Sequence, residues 1–523
     1  MKYNYNQVIH IIENTRRFGN LTGYEVSKCM LEQLGNPQNA IPFVHIAGTN
    51  GKGSTTAFLC KILEKAGMKV GMFTSPHLVT FEERIRINGI MISKEDVIRL
   101  GNFLLETKFE VSPTMFDYCL AMAVLYFAEQ KCDIMVMETG IGGRYDSTNA
   151  LGIPMVSVIT KIGFDHMGVL GDTLEQIAWE KAGIIKQGVP VVTQRQEECV
   201  RNVLYKTFQE VNHITDDTNS DFIEVSDAIL DEVAKIPMKM KGNFQIENAG
   251  TALLTASVIF LNLGKRKNYK NSSYEKKASS INKNETDADD GNNHLDNVSN
   301  IQKQTILQLE KELQNCKYAC SIFDILKDIS DVQKSYICCG ISETVWKGRM
   351  ELINDSPFFM IDGAHNSHGV HALAESLKTL YPNEKFHFIM AVMADKDYEN
   401  MIEELIPLAL DFITVTPESN RALQAKDLAE CIAKKGIKAV FAEDIKTVIE
   451  PLLPKTRIQQ DKMDKSSLQQ NSKGNLTSFH IENSNTENWN TAKTIINAKK
   501  LTSSQKTIAF GSLYFIGEIE AML

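Results

Sequence analysis

The sequence predicts an α/β protein: a mostly parallel, doubly wound sheet followed by a second, smaller α/β domain. Three observations carry this expectation. Residues 43–47 form a short apolar run that breaks into Gly48-Thr49-Asn50-Gly51-Lys52-Gly53-Ser54-Thr55, after which residues 57–64 carry a helical apolar pattern. Apolar strand-like runs then alternate with helical stretches as far as residue 193, as parallel sheets with crossover helices require. Beyond a long polar tract the same alternation resumes between residues 358 and 512.

Taken in order, residues 5–15 and 24–34 read as helices ahead of the glycine turn. After it, residues 69–74 read as a strand, 115–130 as an apolar helix, and 132–138 as a strand ending in the acid Glu138. Strands follow at 155–160 and 189–193. Residues from about 265 to 300 lose all periodicity and fill with Asn, Lys, Ser and Asp, and a second such tract runs from about 459 to 497. Both are expected to be solvated insertions, too poor in apolar residues to pack. Between them lie strands at 358–363, 386–392 and 412–416 and a helix at 370–380; the last strand is 506–512. The two α/β parts join near Trp346-Lys347-Gly348-Arg349, and two lobes sharing a nucleotide imply an enzyme that closes on its substrates.

The glycine turn has the chemistry of a polyphosphate cradle. Glycines let backbone N–H groups approach an anion, the helix N-terminus adds partial positive charge, and Lys52 can reach the outer phosphates. The hydroxyl of Ser54 or Thr55 would sit on Mg²⁺. The spacing departs from G-x-x-x-x-G-K-[ST] because Gly53 is inserted between the lysine and the hydroxyl. A glycine-rich turn that binds nothing is the rival, and three glycines with one lysine between strand and helix weigh against it.

Composition bounds the rest. With 523 residues the chain has room for two or three domains, and 43% apolar and 23% charged residues are ordinary for a globular protein. A formal net charge of −9 argues against a general nucleic-acid surface. The ten cysteines are scattered, and neither Cys338-Cys339 nor Cys316/Cys320 has zinc or redox spacing, so reduced core thiols are expected. The first residues show no charged leader with an apolar core, and no stretch is read as the eighteen or so apolar residues of a membrane span. The expectation is a cytoplasmic protein without membrane or nucleic-acid partners.

An ordered set of motifs carries a specific resemblance. His45-Ile46-Ala47-Gly48-Thr49-Asn50-Gly51-Lys52-Gly53-Ser54, Thr74-Ser75-Pro76-His77-Leu78, Glu138-Thr139-Gly140-Ile141-Gly142-Gly143-Arg144, Gly163-Phe164-Asp165-His166 and Glu180-Lys181-Ala182-Gly183 lie in the first part. Asp362-Gly363-Ala364-His365-Asn366, Ala394-Asp395-Lys396-Asp397 and Gly511-Ser512-Leu513-Tyr514 lie in the second. Together they resemble folylpolyglutamate synthase, in its bacterial form often also dihydrofolate synthase, within the Mur-ligase superfamily. The resemblance spans nearly the whole chain outside the two polar insertions. It implies a Mur-ligase-like ATP-binding catalytic domain over residues 1–342 and a Mur-ligase-like C-terminal α/β domain over 343–523. It also implies ATP-dependent addition of L-glutamate to a reduced folate through an acyl phosphate, with dihydropteroate as a further candidate substrate, and a monomer.

Residue by residue, the resemblance makes Gly48 to Thr55 the ATP phosphate loop, with Lys52 catalytic and Ser54 a metal-side hydroxyl. Glu138, Ser75 and His166 are similar to the other Mg²⁺ ligands; by itself Glu138 is a strand-end carboxylate suited to a hard cation, and His166 would pass for a structural histidine. Lys181 matches a lysine carried as a carbamate, although the sequence alone shows only a Glu-Lys pair on a helix. Asn248 resembles an adenine-side asparagine and would equally serve as a helix cap. Arg349 resembles an arginine that reaches the ATP phosphates; Lys347 stands where the family usually has proline. Asp362 would accept from the ribose, and His365 would lie near the phosphates or the incoming amino acid. Residues 75–84 look like a substrate loop, with Arg84 facing a glutamate carboxylate and Phe81 either stacking on a ring or simply packing. Asp165 and Asp117 complete the substrate set, Asp117 standing where the family more often has Glu; Asn366-Ser367 replaces a common Asn-Pro.

Three rivals stand beside this reading. A small-molecule kinase fits the loop itself and would release ADP without phosphate, whereas the ligase releases both, and only when the amino acid is present. A cell-wall amino-acid ligase of the same superfamily carries a nucleotide-sugar domain ahead of the phosphate loop, where this sequence has about forty residues, short of the ~100 of a domain. A regulatory GTPase needs Asn-Lys-x-Asp, and the nearest string, Thr160-Lys161-Ile162-Gly163, lacks both the Asn and the Asp.

Overall fold

A computed structural model describes residues 2–15, 24–214, 221–278, 329–454 and 506–523. The chain divides into two units, the first comprising Met1–Ser75, Arg84–Lys239 and Gln245–Val345, the second Pro76–Glu83, Met240–Phe244 and Trp346–Leu523.

The first unit is built on β1 (Phe43–Ala47), β2 (Val70–Phe73), β3 (Ile85–Ile87), β4 (Ile90–Met91), β5 (Ile134–Glu138), β6 (Val156–Ile159), β7 (Val191–Thr193) and β8 (Phe222–Glu224). Among the described residues they form one sheet in the order β4-β3-β2-β5-β1-β6-β7-β8. From β2 to β8 all pairings are parallel; β3 and β4 add antiparallel strands at one edge. Every residue of β1, β5 and β6 is buried, which is why these strands read as largely apolar runs, interrupted only by His45, Ser157 and the closing Glu138. The register pairs Ile46 with Glu138, Phe73 with Met137 and Ala47 with Ile159. The carboxyl ends of β2, β5, β1 and β6 therefore line one edge, where ligands of open α/β sheets bind. On one face the helices Leu174–Ala182 and Glu198–Asn212 pack through Ile177, Ala178, Val200, Leu204 and Phe208.

The second unit contains β9 (Glu351–Asp355), β10 (Phe358–Ile361), β11 (Phe386–Met390), β12 (Ala409–Thr414), β13 (Ala439–Phe441) and β14 (Lys506–Phe510). Their order is β13-β12-β11-β14-β10-β9, parallel except for β9. Val370, Leu373 and Leu377 of the helix Ser367–Leu380 cover one face with Phe388 and Phe412, while Phe515, Ile516 and Ile519 of the helix Leu513–Met522 cover the other.

The doubly wound α/β class is as expected. Five short strands, β3, β4, β8, β9 and β13, add to the sequence reading, being partly exposed runs of two to five residues without a clean alternation. The tract from about 265 to 300 needs correction: backbone 265–278 continues the helix Asn243–Ala278, because once a packed helix is nucleated each added residue costs little. The rest of that tract, the tract from about 459 to 497, and Cys316 and Cys320 lie outside the described residues. The stretch Asn243–Asn262 is, against expectation, long and apolar enough by composition to cross a membrane, but 72% of its most apolar window is buried inside the fold, as in a core helix. Eight cysteines lie among the described residues, and none of them is in a disulfide there.

Candidate active site

The loop after β1 is shaped by two glycines with little alternative. Gly48 has φ +154°, and a Cβ there would lie 1.8 Å from Thr160 Oγ1 at the end of β6. Gly51, φ +87°, precedes the helix Lys52–Lys65, and a Cβ there would lie 2.3 Å from Asn248 Oδ1. The amides of Thr49 and Asn50 both donate to the Lys161 carbonyl (2.9 and 3.1 Å), and Thr49 Oγ1 donates to Gly163 O (3.0 Å). Those two amides hold the loop to β6. The donors left for an anion are those of the first helical turn, from Lys52 through Gly53 to Ser54, which have no intrahelical partner and which Gly51 has no side chain to cap.

Two lysines converge on one carbonyl. Lys52 Nζ donates to Gly48 O (3.1 Å) and Thr49 O (3.2 Å); Lys181 Nζ donates to the same Gly48 O (2.9 Å). Lys181 is buried, and burial together with the neighbouring Lys52 charge brings its amine down to about 7, with Asp165, Asp146 and Glu180 opposing. It is therefore not the solvated helix residue its sequence context shows. The nearby side chains of Ser54 and Thr55 are buried. Asn248 lies within the helix Asn243–Ala278, not at its cap: its Oδ1 accepts from Gln194 Nε2 (2.8 Å) and its Nδ2 donates to Gln245 Oε1 (2.9 Å).

Glu138 closes β5, buried, one strand away from the loop. The two amides beyond Thr139, those of Gly140 and Ile141, donate to Asp146 Oδ2 (2.9 Å each). Asp146 Oδ1 accepts from Thr148 N (3.0 Å) and from the Thr148 hydroxyl, and that hydroxyl accepts from His45 Nε2 (2.8 Å). Burial drives His45 down to about 3, so it is neutral and its Nε2 carries the proton. The same loop is tied to the helix bearing Lys181: Arg144 N donates to Glu180 O (2.7 Å), and its guanidinium stacks 3.7 Å over the Trp179 ring. Ser75 follows β2, while Asp165 and His166 follow β6; Asp165 Oδ1 accepts from His166 N (2.9 Å), and His166 has φ +52°. The glycine loop after β1, Ser75, Glu138, Asp165 and His166 thus share the carboxyl edge of four neighbouring strands.

The other substrate candidates differ. Asp117 is buried in a capping box: its Oδ2 accepts from Thr114 N (2.8 Å) and Oγ1 (2.7 Å), and its Oδ1 from Ser147 Oγ (2.7 Å) and Ser27 Oγ. Four protein donors occupy it, so here it organises the start of the helix Met115–Glu129. Phe81, 3% exposed, packs beside His77 (ring centroids 6.4 Å apart) and offers no open stacking face. Arg84 is likewise buried. In the second unit Asp362 accepts from Met350 N and Ala364 N (2.8 Å each), and burial pushes its carboxyl up despite nearby Arg349. The Arg349 guanidinium lies against Gly363, and His365 Nδ1 donates to Gly363 O (2.8 Å).

Residues 46–256 match the Mur ligase middle domain, and 348–460 the Mur ligase glutamate ligase domain. The dihydrofolate synthase/folylpolyglutamate synthase of Bacillus subtilis is 34% identical over 448 residues, covering 84% of this chain and 91% of that one. The chain belongs to the dihydrofolate synthase/folylpolyglutamate synthase family. A folylpolyglutamate synthase of Lacticaseibacillus casei is 28% identical over 80% of this chain and 87% of its own. Among solved folds, the Mycobacterium tuberculosis folylpolyglutamate synthase complexed with ADP superposes with a TM-score of 0.67 at 21% identity, covering 99% of this chain and 98% of its own. That of Thermotoga maritima gives 0.63 at 24% identity, covering 99% and 96%.

Sequence reading of this synthase-family chain passed over Asp146, Thr148, Gln194 and Glu83. Asp146-Ser147-Thr148 does carry a local signal, since Asp two residues before a hydroxyl residue is a common turn former. Glu83, which accepts from the amides of Leu78, Val79 and Thr80 (3.0, 2.8 and 2.9 Å), carries no such signal.

Proposed function

We propose that this chain binds ATP and uses it to join L-glutamate to a carboxylate of a reduced folate, giving a folylpolyglutamate, ADP and phosphate. The observation that carries this reading is the pairing of Lys52 and Lys181 at Gly48, on a phosphate-type loop, in a chain 34% identical to a dihydrofolate synthase/folylpolyglutamate synthase. A carboxylate resists attack by an amine at neutral pH. A folate carboxylate oxygen attacks the γ-phosphorus and ADP leaves; the glutamate amine then attacks the acyl carbon, loses a proton, and phosphate leaves. Catalysis consists of positioning and charge.

In this reading Gly48 to Thr55 cradle the phosphates, Lys52 turns outward from its own loop to meet the transferred group, and Asn248 holds Gly51 from behind. The buried carboxylate of Glu138 at the end of β5 and the buried hydroxyl of Ser54 suit Mg²⁺, which takes one or two carboxylates plus phosphate and water; Glu138, Ser54, Ser75 and His166 would hold it, and it would neutralise phosphate charge. Lys181 is held in the state carbamylation needs: a buried amine brought down to about 7 can be neutral and add CO₂. Residues 1–342 act as the ATP-binding domain and 343–523 as the C-terminal domain, with Arg349, Asp362 and His365 serving nucleotide and amino acid and Asp165 and Arg84 the folate. The bifunctional name of the Bacillus subtilis relative supports dihydropteroate as a second substrate.

The test is phosphate release by purified protein with ATP and glutamate, comparing tetrahydrofolate with dihydropteroate. Turnover with tetrahydrofolate and its loss in Lys52→Ala are expected, with ¹⁸O passing from the acid to phosphate. Release that neither pteridine stimulates would overturn the assignment.

A further inference from the structure

The turn 346–350 is bent against ordinary preference. Gly348 has φ +67° and Met350, which is not a glycine, φ +44°, so left-handed residues flank Arg349 on both sides. Such a backbone persists only where its surroundings over-determine it. Here Met350 N donates to Asp362 Oδ2 (2.8 Å), Gly363 N to Gly348 O (2.8 Å), and Gly348 N to Glu351 Oε2 (2.7 Å).

The third of these contacts leads into a charged cluster. Glu520 is a charged neighbour of Glu351, and with burial it pushes the Glu351 carboxyl up. Glu520, with its side chain wholly buried, accepts from Lys347 Nζ (2.6 Å), and its other oxygen, Oε1, is buried without a hydrogen-bond partner. The helix Leu513–Met522 that bears Glu520 also seats Gly517 on the Leu78 carbonyl, where a Cβ would come within 2.0 Å. A Cβ on Gly348 would meet Ile516 at 2.9 Å and Leu78 at 3.3 Å. The turn, the C-terminal helix and the loop 76–83 are thus packed as one piece.

We propose that Lys347, Glu520 and Glu351 are positioning residues: the Lys347–Glu520 ion pair and the Glu351 grip on Gly348 N together lock the turn and aim Arg349. This rests on the reading of Arg349 as a phosphate-side residue. Lys347, at the position where the family motif departs, then has a task, since its charge permits a buried carboxylate to grip the turn. Glu351 is faced by Glu520 from the helix and Lys347 from the turn, with Arg349, Asp362 and His365 around the turn's other side. Burial, with Glu520 adding and Lys347 opposing, holds the Glu351 carboxyl up at about 7. Below that pH Glu351 carries a proton; above it the Glu351 charge is repelled by Glu520 and the grip loosens.

The experiment measures ATP KM and kcat across pH values on either side of 7 in the full-length chain and in Lys347→Met, Lys347→Arg and Glu351→Gln, with Trp346 emission followed in parallel in the same set carrying Trp179→Phe and Trp489→Phe. Lys347→Met is expected to raise ATP KM about five- to tenfold with kcat little changed, and Lys347→Arg to restore it. Wild-type KM rises above pH 7 and Trp346 emission titrates there; both changes flatten in Glu351→Gln. An unchanged KM in Lys347→Met, or a Glu351→Gln profile and emission titration matching wild type, would overturn the proposal. Arg349→Ala tests the underlying reading separately: if its ATP KM equals wild type, the assignment of Arg349 fails, while the emission titration still judges the lock.

Discussion

Lys181 Nζ and Gly48 O lie 2.9 Å apart, joining a helix and a loop 133 residues distant in the chain. The contact places an amine brought down to about 7 against the backbone of the glycine loop after β1, where Lys52 already donates.

This burial has a thermodynamic signature. Between pH 7 and 10.5 the unfolded chain keeps a proton on Lys181 that the folded chain has released, so stability rises with pH across that window. Lys181→Met, which has no charge to bury, is expected to be more stable than wild type near pH 7 and below by on the order of several kcal/mol, and to lose ligase turnover. Denaturant melts at several pH values in CO₂-free buffer check the first part. Adding bicarbonate to the wild type should raise activity, and intact-mass analysis should find one added CO₂.

His45 works on the acid side. It titrates near 6.5 when unfolded and near 3 when folded, so protons bind the unfolded chain first as pH falls. Its contribution is complete above pH 6.5 and is lost progressively toward pH 3, a change on the order of several kcal/mol. His45→Gln is expected to flatten that limb. Urea unfolding from neutral pH to about 4 reads it; equal acid sensitivity in the two proteins would count against the assignment.

Gly51 and Gly35 form a matched pair. Both have positive φ (+87° and +81°), but a Cβ on Gly51 collides with Asn248 Oδ1 while one on Gly35 meets nothing within 4 Å. Gly35→Ala should cost about 1 kcal/mol, the backbone penalty alone. Gly51→Ala should cost at least twice that and weaken ATP binding about tenfold or more. Melting temperatures and nucleotide titrations compare them directly.

Asp117→Ala separates a structural from a substrate role. Removing a buried carboxylate with four donors should destabilise the protein by about 1–3 kcal/mol. The folate KM of the folded fraction should stay within about twofold of wild type; a large, selective rise with unchanged stability would restore Asp117 to the substrate set.

Much of the fold is legible because buried parallel strands announce themselves as apolar runs. The runs at 132–138 and 155–160 contain β5 and β6, and β1 occupies the whole of 43–47. Short edge strands such as β4, with both residues exposed, carry no comparable signal. At the site, the glycines, Lys52 and Glu138 stand in continuous motifs, whereas Asp146 acts through loop amides and Asn248 through Gln194, 54 residues away. A helical Glu-Lys reads as a surface pair until the packing shows what lies beside it.

The sequence alone determined the class of the fold and the place of the glycine loop between β1 and the helix Lys52–Lys65, since periodicity and glycine positions are local properties of the chain. Only the tertiary structure decided the electrostatic character of the residues: that Lys181 is buried against Gly48, that His45 is neutral, and that Asp117 is a cap. The reason is physical. Propensity and pattern act over a few neighbouring residues, whereas desolvation and Coulomb interaction depend on what packs nearby in space, and that is fixed only when distant segments meet.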